Sequence, residues 1–181
     1  GSGHKAAAES SAAVRFLQKL LAVGFDVDVA VKTVNSLLLL QMPEETFATI
    51  DMAVIDLYSG ETEFLKVGSA PSFVKRVREV ATISSVSPPI GILQQIEIRP
   101  IKSSLVAGDI IVMVSDGVAE ARRSVDKENW IANFLRRTDS NDPQQIADSL
   151  LKQAKSLAKN KVHDDMTVLV AKLNEWPGIT H

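Results

Sequence analysis

The stretch IIVMVSDGVAE, Ile110 to Glu120, constrains the fold more than any other part of the chain. Five apolar residues, Ile110 to Val114, run without a polar break, and four of them are β-branched. Such a run reads as a strand buried on both faces. It then delivers Ser115, Asp116 and Gly117 to its end. An unpaired buried carboxylate is costly, so Asp116 must reach water, a cation or hydrogen-bond donors. A turn and a metal site would each satisfy it.

The surroundings of this strand set the fold class. AAAESSAAVRFLQKLLAVG reads as a helix closed by a left-handed Gly24, with Val14, Leu17, Leu20 and Leu21 as its apolar stripe. Asp26 or Asp28 can cap a second helix that runs to Leu40, and Pro43 stops it. In FATIDMAVIDL, residues Ala48, Ile50, Met52 and Val54 alternate with a more mixed face, the period of a strand. YSGET makes a turn and EFLKVG returns as the next strand. PSFVKRVREVATI reads as a hairpin around Arg76 to Arg78, EIRPIKSSL as a weaker strand, and AGD as the turn into Ile110. Strands joined by turns this short are antiparallel neighbours.

Helices then resume. DKENWIANFLRR is one. NDPQQIADSLLKQAKSLAKN is a second, with Asp142 at the N-cap, Pro143 at the first helical position and Gln145 three residues after the cap. Ile146, Leu150, Ala154 and Leu157 line its apolar face. MTVLVAKL closes the series as a strand before a loose tail, NEWPGITH. Helices, strands, helices and a strand, in that order, favour a layered α+β fold over a doubly wound sheet. At 181 residues the chain is long enough for one domain, 1–181, with a sizeable core.

A net charge of -2 gives no attraction to nucleic acid or a membrane surface, and the longest apolar run, SLLLLQM, is too short to span a bilayer. No signal-peptide pattern opens the chain. The absence of cysteine rules out a disulfide framework and thiolate metal ligands.

A second acidic group, Asp164 and Asp165 in HDDMT, stands at the start of the last strand. If that strand lies antiparallel beside Ile110–Val114, the end of one and the start of the other meet on the same sheet edge. Clustered carboxylates repel unless a cation lies between them, and oxygen ligands alone suit Mg²⁺ or Mn²⁺ rather than zinc. Asp-Gly is also a common turn pair and Asp-Asp a common loop pair, so spacing leaves both readings open.

GDIIVMVSDGVAE followed well downstream by HDDMTVLV resembles the last two metal motifs of the metal-dependent protein phosphatases, the protein phosphatase 2C family. FLKVGSAPSFV and PPIGIL resemble the intervening motifs of its bacterial branch, the sigma-regulator phosphatases. The likeness extends over nearly the whole chain. It implies an α-β-β-α sandwich of two antiparallel sheets flanked by helices. It also implies hydrolysis of a phosphoserine or phosphothreonine with two Mn²⁺ or Mg²⁺ ions and no covalent intermediate. By the same likeness Asp116 and Asp164 are metal ligands. Gly117 lets the chain turn sharply beneath the metals, and Asp165 is an orienting neighbour. The implied substrate is a phosphorylated anti-sigma factor antagonist, whose dephosphorylation releases a sporulation sigma factor. The implied location is a cytoplasmic domain, with any membrane anchor of the parent outside these residues.

The family places a further metal aspartate on an N-terminal strand and another in an Asp-Gly-Met-Gly turn, and neither motif stands in this sequence. The expectation is a fold lacking its first strands and half of its metal ligands, catalytically impaired by itself. A non-catalytic module that binds a partner or dimerises is the competing reading, and a homodimer is expected through the first two helices or an open sheet edge. Several residues carry two readings. Leu37 to Leu40 serve as core or interface. Lys152, Lys155, Lys159 and Lys161 favour a helix C-terminus or dock an acidic partner. Asp51 lies on the polar face of its strand or near the acidic site. His4 and His163 read as solvated.

Overall fold

The computed structural model describes residues 4–41, 47–122, 129–158 and 164–175. Two sheets and five helices are formed by these residues: α1 His4–Ala22, α2 Val27–Gln41, β1 Ile50–Ile55, β2 Glu61–Val67, β3 Ser72–Arg76, β4 Glu79–Ile83, β5 Ile101–Ser104, β6 Ile110–Val114, α3 Asp116–Ala119, α4 Asn129–Arg137, α5 Pro143–Leu157 and β7 Val168–Lys172. One sheet has the order β1-β2-β5, the other β4-β3-β6-β7. The readings of Pro43, of Lys159, Lys161 and His163, and of the tail beyond Glu175 lie outside the described residues.

The chain divides into two compact units. The first draws on Gly1–Ala53, Phe64–Ser69 and Ser85–Ile101. Its first helix ends as the sequence suggests. Gly24 has φ +90, its N–H donates to the Leu21 carbonyl, and the Phe25 N–H donates to that of Leu20. This pair of bonds satisfies the last carbonyls of α1 and turns the chain into α2. The buried stripe of α1 differs from the expected one. Ala13, Leu17 and Leu21, spaced four apart, pack on the core, whereas Val14 is 50% exposed. A helix advances 100° per residue, so a neighbour of the central row falls outside a narrow seam. On α2, Val27, Val31 and Val34 form the row that meets Leu65, Val67, Ile90, Ile96 and Ile98. Leu38 joins them, while Leu40 is 83% exposed.

Two polar groups organise this unit. The buried Asn35 accepts from the Gly91 N–H at 2.8 Å and donates to the Leu93 carbonyl at 3.0 Å. Lys66, whose side chain is fully buried, pairs with Asp51 at 2.6 Å. Burial pulls the Lys66 ammonium below the usual lysine range, and the Asp51 hydrogen bond and charge oppose that without cancelling it.

The second unit holds the four-stranded sheet and helices α3, α4 and α5. β3 pairs antiparallel with β4 through Ser72↔Ile83 to Arg76↔Glu79, and with β6 through Phe73↔Val112. β6 pairs antiparallel with β7 from Ile110↔Lys172 to Val114↔Val168. Ile110, Val112 and Val114 project to one face of the sheet and pack with Phe73, with Trp130, Ile131 and Leu135 of α4, and with Ile146, Leu150 and Ala154 of α5. Each fully buried side chain of this size contributes about 1.5–3 kcal/mol relative to exposure. Ile111, on the opposite face, is buried as well, as a continuous apolar strand requires.

Helix α5 starts on Asp142, whose carboxylate accepts from the Gln145 N–H at 2.8 Å. Gln145 does not close a capping box directly. Its side chain meets the Ser140 hydroxyl, which itself accepts from the Asp142 N–H. At the other end of β6 the buried Asp109 accepts two bonds from Arg76, Nε to Oδ1 at 2.8 Å and Nη2 to Oδ2 at 2.6 Å, and a third from the Val106 N–H. Burial pushes the Asp109 carboxyl up, but the Arg76 hydrogen bonds, the Val106 amide and the Arg76 charge outweigh it and hold the group below the usual aspartate range. In the β3–β4 hairpin Val77 has φ +56, where a β-branched residue is strained, and Lys75 Nζ donates to the Val77 carbonyl.

Candidate metal centre

The site follows from the β6–β7 register. Because Val114 pairs with Val168, the residues after β6 lie beside those before β7. The ladder continues one step past the strands, where the Ser115 N–H donates to the Thr167 carbonyl at 3.0 Å. Asp116 therefore stands on the same sheet edge as Asp164 and Asp165, and all three are exposed.

Beyond Ser115 the chain enters α3, a short helix where the sequence pattern suggests only a turn. Its N–H groups from Val118 and Ala119 return to the Ser115 carbonyl. Val118 and Ala119 are buried in the core of this unit, and the Trp130 indole N–H donates to the Ala119 carbonyl at 3.2 Å. The helix is thus anchored from below, and Asp116, in its first turn, stays at the surface. The Asp116 carboxylate accepts from the Gly117 N–H at 3.1 Å. Asp164 Oδ1 accepts likewise from the Asp165 N–H at 2.8 Å. Each carboxylate is oriented by the amide that follows it, and among the described residues no donor claims its other oxygen.

Gly117 is required by close packing. It has no left-handed φ. A β-carbon at this position would lie 2.5 Å from the Asp165 carbonyl oxygen and 3.2 Å from that of Asp164. Close approach of the acidic loop, not a sharp turn, excludes a side chain there. Asp165 contributes through its backbone, since its carbonyl also accepts from the Ser115 hydroxyl at 2.9 Å.

Two exposed carboxylates suit a hard divalent cation. They form an incomplete set, because no group of three or more acidic or histidine side chains able to hold a metal exists among the described residues. Asp51, the other acidic candidate, is committed to Lys66.

Comparison with known proteins adds to this geometry. The profile of the stage II sporulation protein E (SpoIIE) family matches residues 1–174. The chain is 37% identical over 184 residues to stage II sporulation protein E of Bacillus subtilis (strain 168), covering 99% of this chain and 22% of that protein. The solved PP2C phosphatase domain of B. subtilis SpoIIE, with a fragment of its regulatory domain, superposes with a TM-score of 0.85 at 37% identity, covering 95% of this chain and 51% of that one. A second structure of that phosphatase domain, presoaked with Mn, has a TM-score of 0.71 at 33% identity over 93% of this chain and 76% of that one. The present chain thus spans under a quarter of the curated relative and about half of the first structure.

Proposed function

The chain belongs to the stage II sporulation protein E family and has the two antiparallel sheets and helices of its PP2C-type phosphatase domain, and from that premise we propose that it takes part in hydrolysing a phosphoserine or phosphothreonine of a protein substrate. The observation that carries this reading is the placement of Asp116 and Asp164 on one edge, each with an oxygen unclaimed by any donor among the described residues. These two residues would hold Mn²⁺ or Mg²⁺, and the Mn treatment of the B. subtilis domain supports that choice. When bound, paired divalent ions acidify a water for attack on phosphorus and neutralise charge on the phosphoryl oxygens. The chain's own part is to hold its two carboxylates a fixed distance apart at an exposed edge, open to a phosphorylated loop of another protein.

The substrate class in this reading is a phosphorylated anti-sigma factor antagonist, so that dephosphorylation activates a sporulation sigma factor. With two carboxylates rather than a full cluster among the described residues, the chain by itself binds Mn²⁺ weakly and turns over a phosphoprotein slowly or not at all. A homodimer is the second element of the reading. It is favoured by the exposed Leu40, Val23 and Phe25 on and between α1 and α2. No helix among the described residues is long and apolar enough to cross a membrane.

Manganese titration followed by electron paramagnetic resonance tests the assignment. Weak binding by the chain, lost in Asp116→Asn and in Asp164→Asn without loss of fold, is the expected result. Two tight sites in the chain would contradict the half-site reading, and binding indifferent to both substitutions would contradict the ligand assignment.

A further inference from the structure

The hydroxyl of Ser115 sits between the two acidic segments. It donates to the Asp165 carbonyl at 2.9 Å and accepts from the Thr167 N–H at 3.0 Å. Its own N–H donates to the Thr167 carbonyl. One residue, next to Asp116 in the chain, is thereby bonded on both sides of Met166 and to the residue that follows Asp164. We propose that Ser115 is a positioning residue for the metal centre, whose hydroxyl sets the separation of the Asp116 and Asp164 carboxylates. The inference rests on the ligand assignment made above.

The argument turns on where the freed groups would go. Asp165 and Thr167 are exposed. If the hydroxyl were removed, water would take over the Asp165 carbonyl and the Thr167 N–H at little cost to folding. Water cannot take over the geometric role. A hydroxyl with one donor and one acceptor bond to groups two residues apart fixes the start of the acidic loop relative to the end of β6. Two waters allow the loop to move. Most structural serines would show the opposite balance, a loss of stability without a specific loss of ligand affinity. Groups that orient metal ligands are worth roughly 10–100-fold in affinity.

The test compares the full chain with Ser115→Ala, Ser115→Thr and Asp116→Asn, titrating each with Mn²⁺ alone under paramagnetic resonance and recording thermal unfolding in parallel. The expected result is Mn²⁺ affinity lowered about tenfold in Ser115→Ala, a nearly unchanged unfolding midpoint, and affinity restored in Ser115→Thr, which keeps the hydroxyl. Wild-type affinity in Ser115→Ala, with binding lost in Asp116→Asn, would overturn the role of Ser115 and leave the ligand assignment standing. A weakened Ser115→Ala that Ser115→Thr does not restore would also overturn it. Unchanged affinity in Asp116→Asn would remove the ligand assignment, and the inference with it.

Discussion

Gly117 lies against the Asp165 carbonyl so closely that a single β-carbon would come within 2.5 Å of its oxygen. The obstacle is backbone, held by the Ser115 hydroxyl and by the β7 register, so it cannot swing aside as a side chain would. Gly117→Ala is therefore expected to displace the Asp164–Asp165 segment, at a cost of about 1–3 kcal/mol in stability. Mn²⁺ affinity should fall with it. Denaturant unfolding and metal titration of the same variant check both effects, and a variant with wild-type values in each would show that the loop yields freely.

The Arg76–Asp109 pair makes the second unit acid-sensitive in a definable window. The folded state holds the Asp109 carboxyl below its unfolded value of 3.8. A depressed carboxylate contributes stability that is fully present above the unfolded value and is lost as pH falls through the folded one. The wild-type loss is thus confined to pH below about 4. In Arg76→Ala burial acts without its main opponent, so the carboxyl rises, the acid-induced loss shrinks or reverses, and the stabilities of the two proteins converge as pH falls. At neutral pH the variant should be less stable by about 2–3 kcal/mol, at or just below the usual cost of breaking a buried pair because Arg76 is half exposed. Urea midpoints across pH 3 to 7 measure this, and parallel curves for the two proteins would exclude the ion pair as the cause.

Asn35 ties α2 to the 91–93 segment through both ends of its amide. Asn35→Leu keeps the volume but strands the Gly91 N–H and the Leu93 carbonyl beside a buried position. The expected cost is about 2–3 kcal/mol. Hydrogen exchange should show faster exchange at the Gly91 amide in particular. Protection at Gly91 equal to wild type would mean that the bond carries little.

Much of the fold was legible in the sequence, because short-range chemistry decided it. The left-handed glycine after α1, the aspartate cap and proline start of α5, and the unbroken apolar run of β6 each have one dominant local cause. The meeting of Asp116 with Asp164 was legible too, since it needs only an antiparallel neighbour. What was not legible depends on partners distant in the chain. Lys66 looks like an ordinary strand lysine until Asp51 is placed beside it, and Asp109 looks like a turn residue until Arg76 arrives. The exposed Val14 was misassigned because α1 is covered along a narrow row only. The close approach at Gly117 was not legible for the same reason, as the carbonyl that excludes its side chain comes from beyond α5 in the chain, where Ser115 also finds its acceptor.

The homodimer proposed above has a direct check. Light scattering over a concentration series up to roughly millimolar, where even weak pairs form, should show the mass rising toward twice that of the chain. Leu40→Asp should then lower the association, since a charge replaces an 83% exposed leucine. A monomer mass at every concentration would end the proposal.

The strand order β4-β3-β6-β7 also sets a sequence of events in time. The β3–β4 hairpin closes over two residues, Val77 and Arg78, and can form as soon as both strands exist. β6 finds its second neighbour only when Val168–Lys172 arrives, after the intervening helices α3, α4 and α5. Loops of that length close late and slow the search. On a ribosome, the hairpin is a finished object while the acidic edge does not yet exist in any form. Pulse-labelled hydrogen exchange during refolding should find the β3–β4 amides protected before those of β7, and the reverse order would refute this. The four-stranded sheet, and whatever the two aspartates do, thus waits on the arrival of β7.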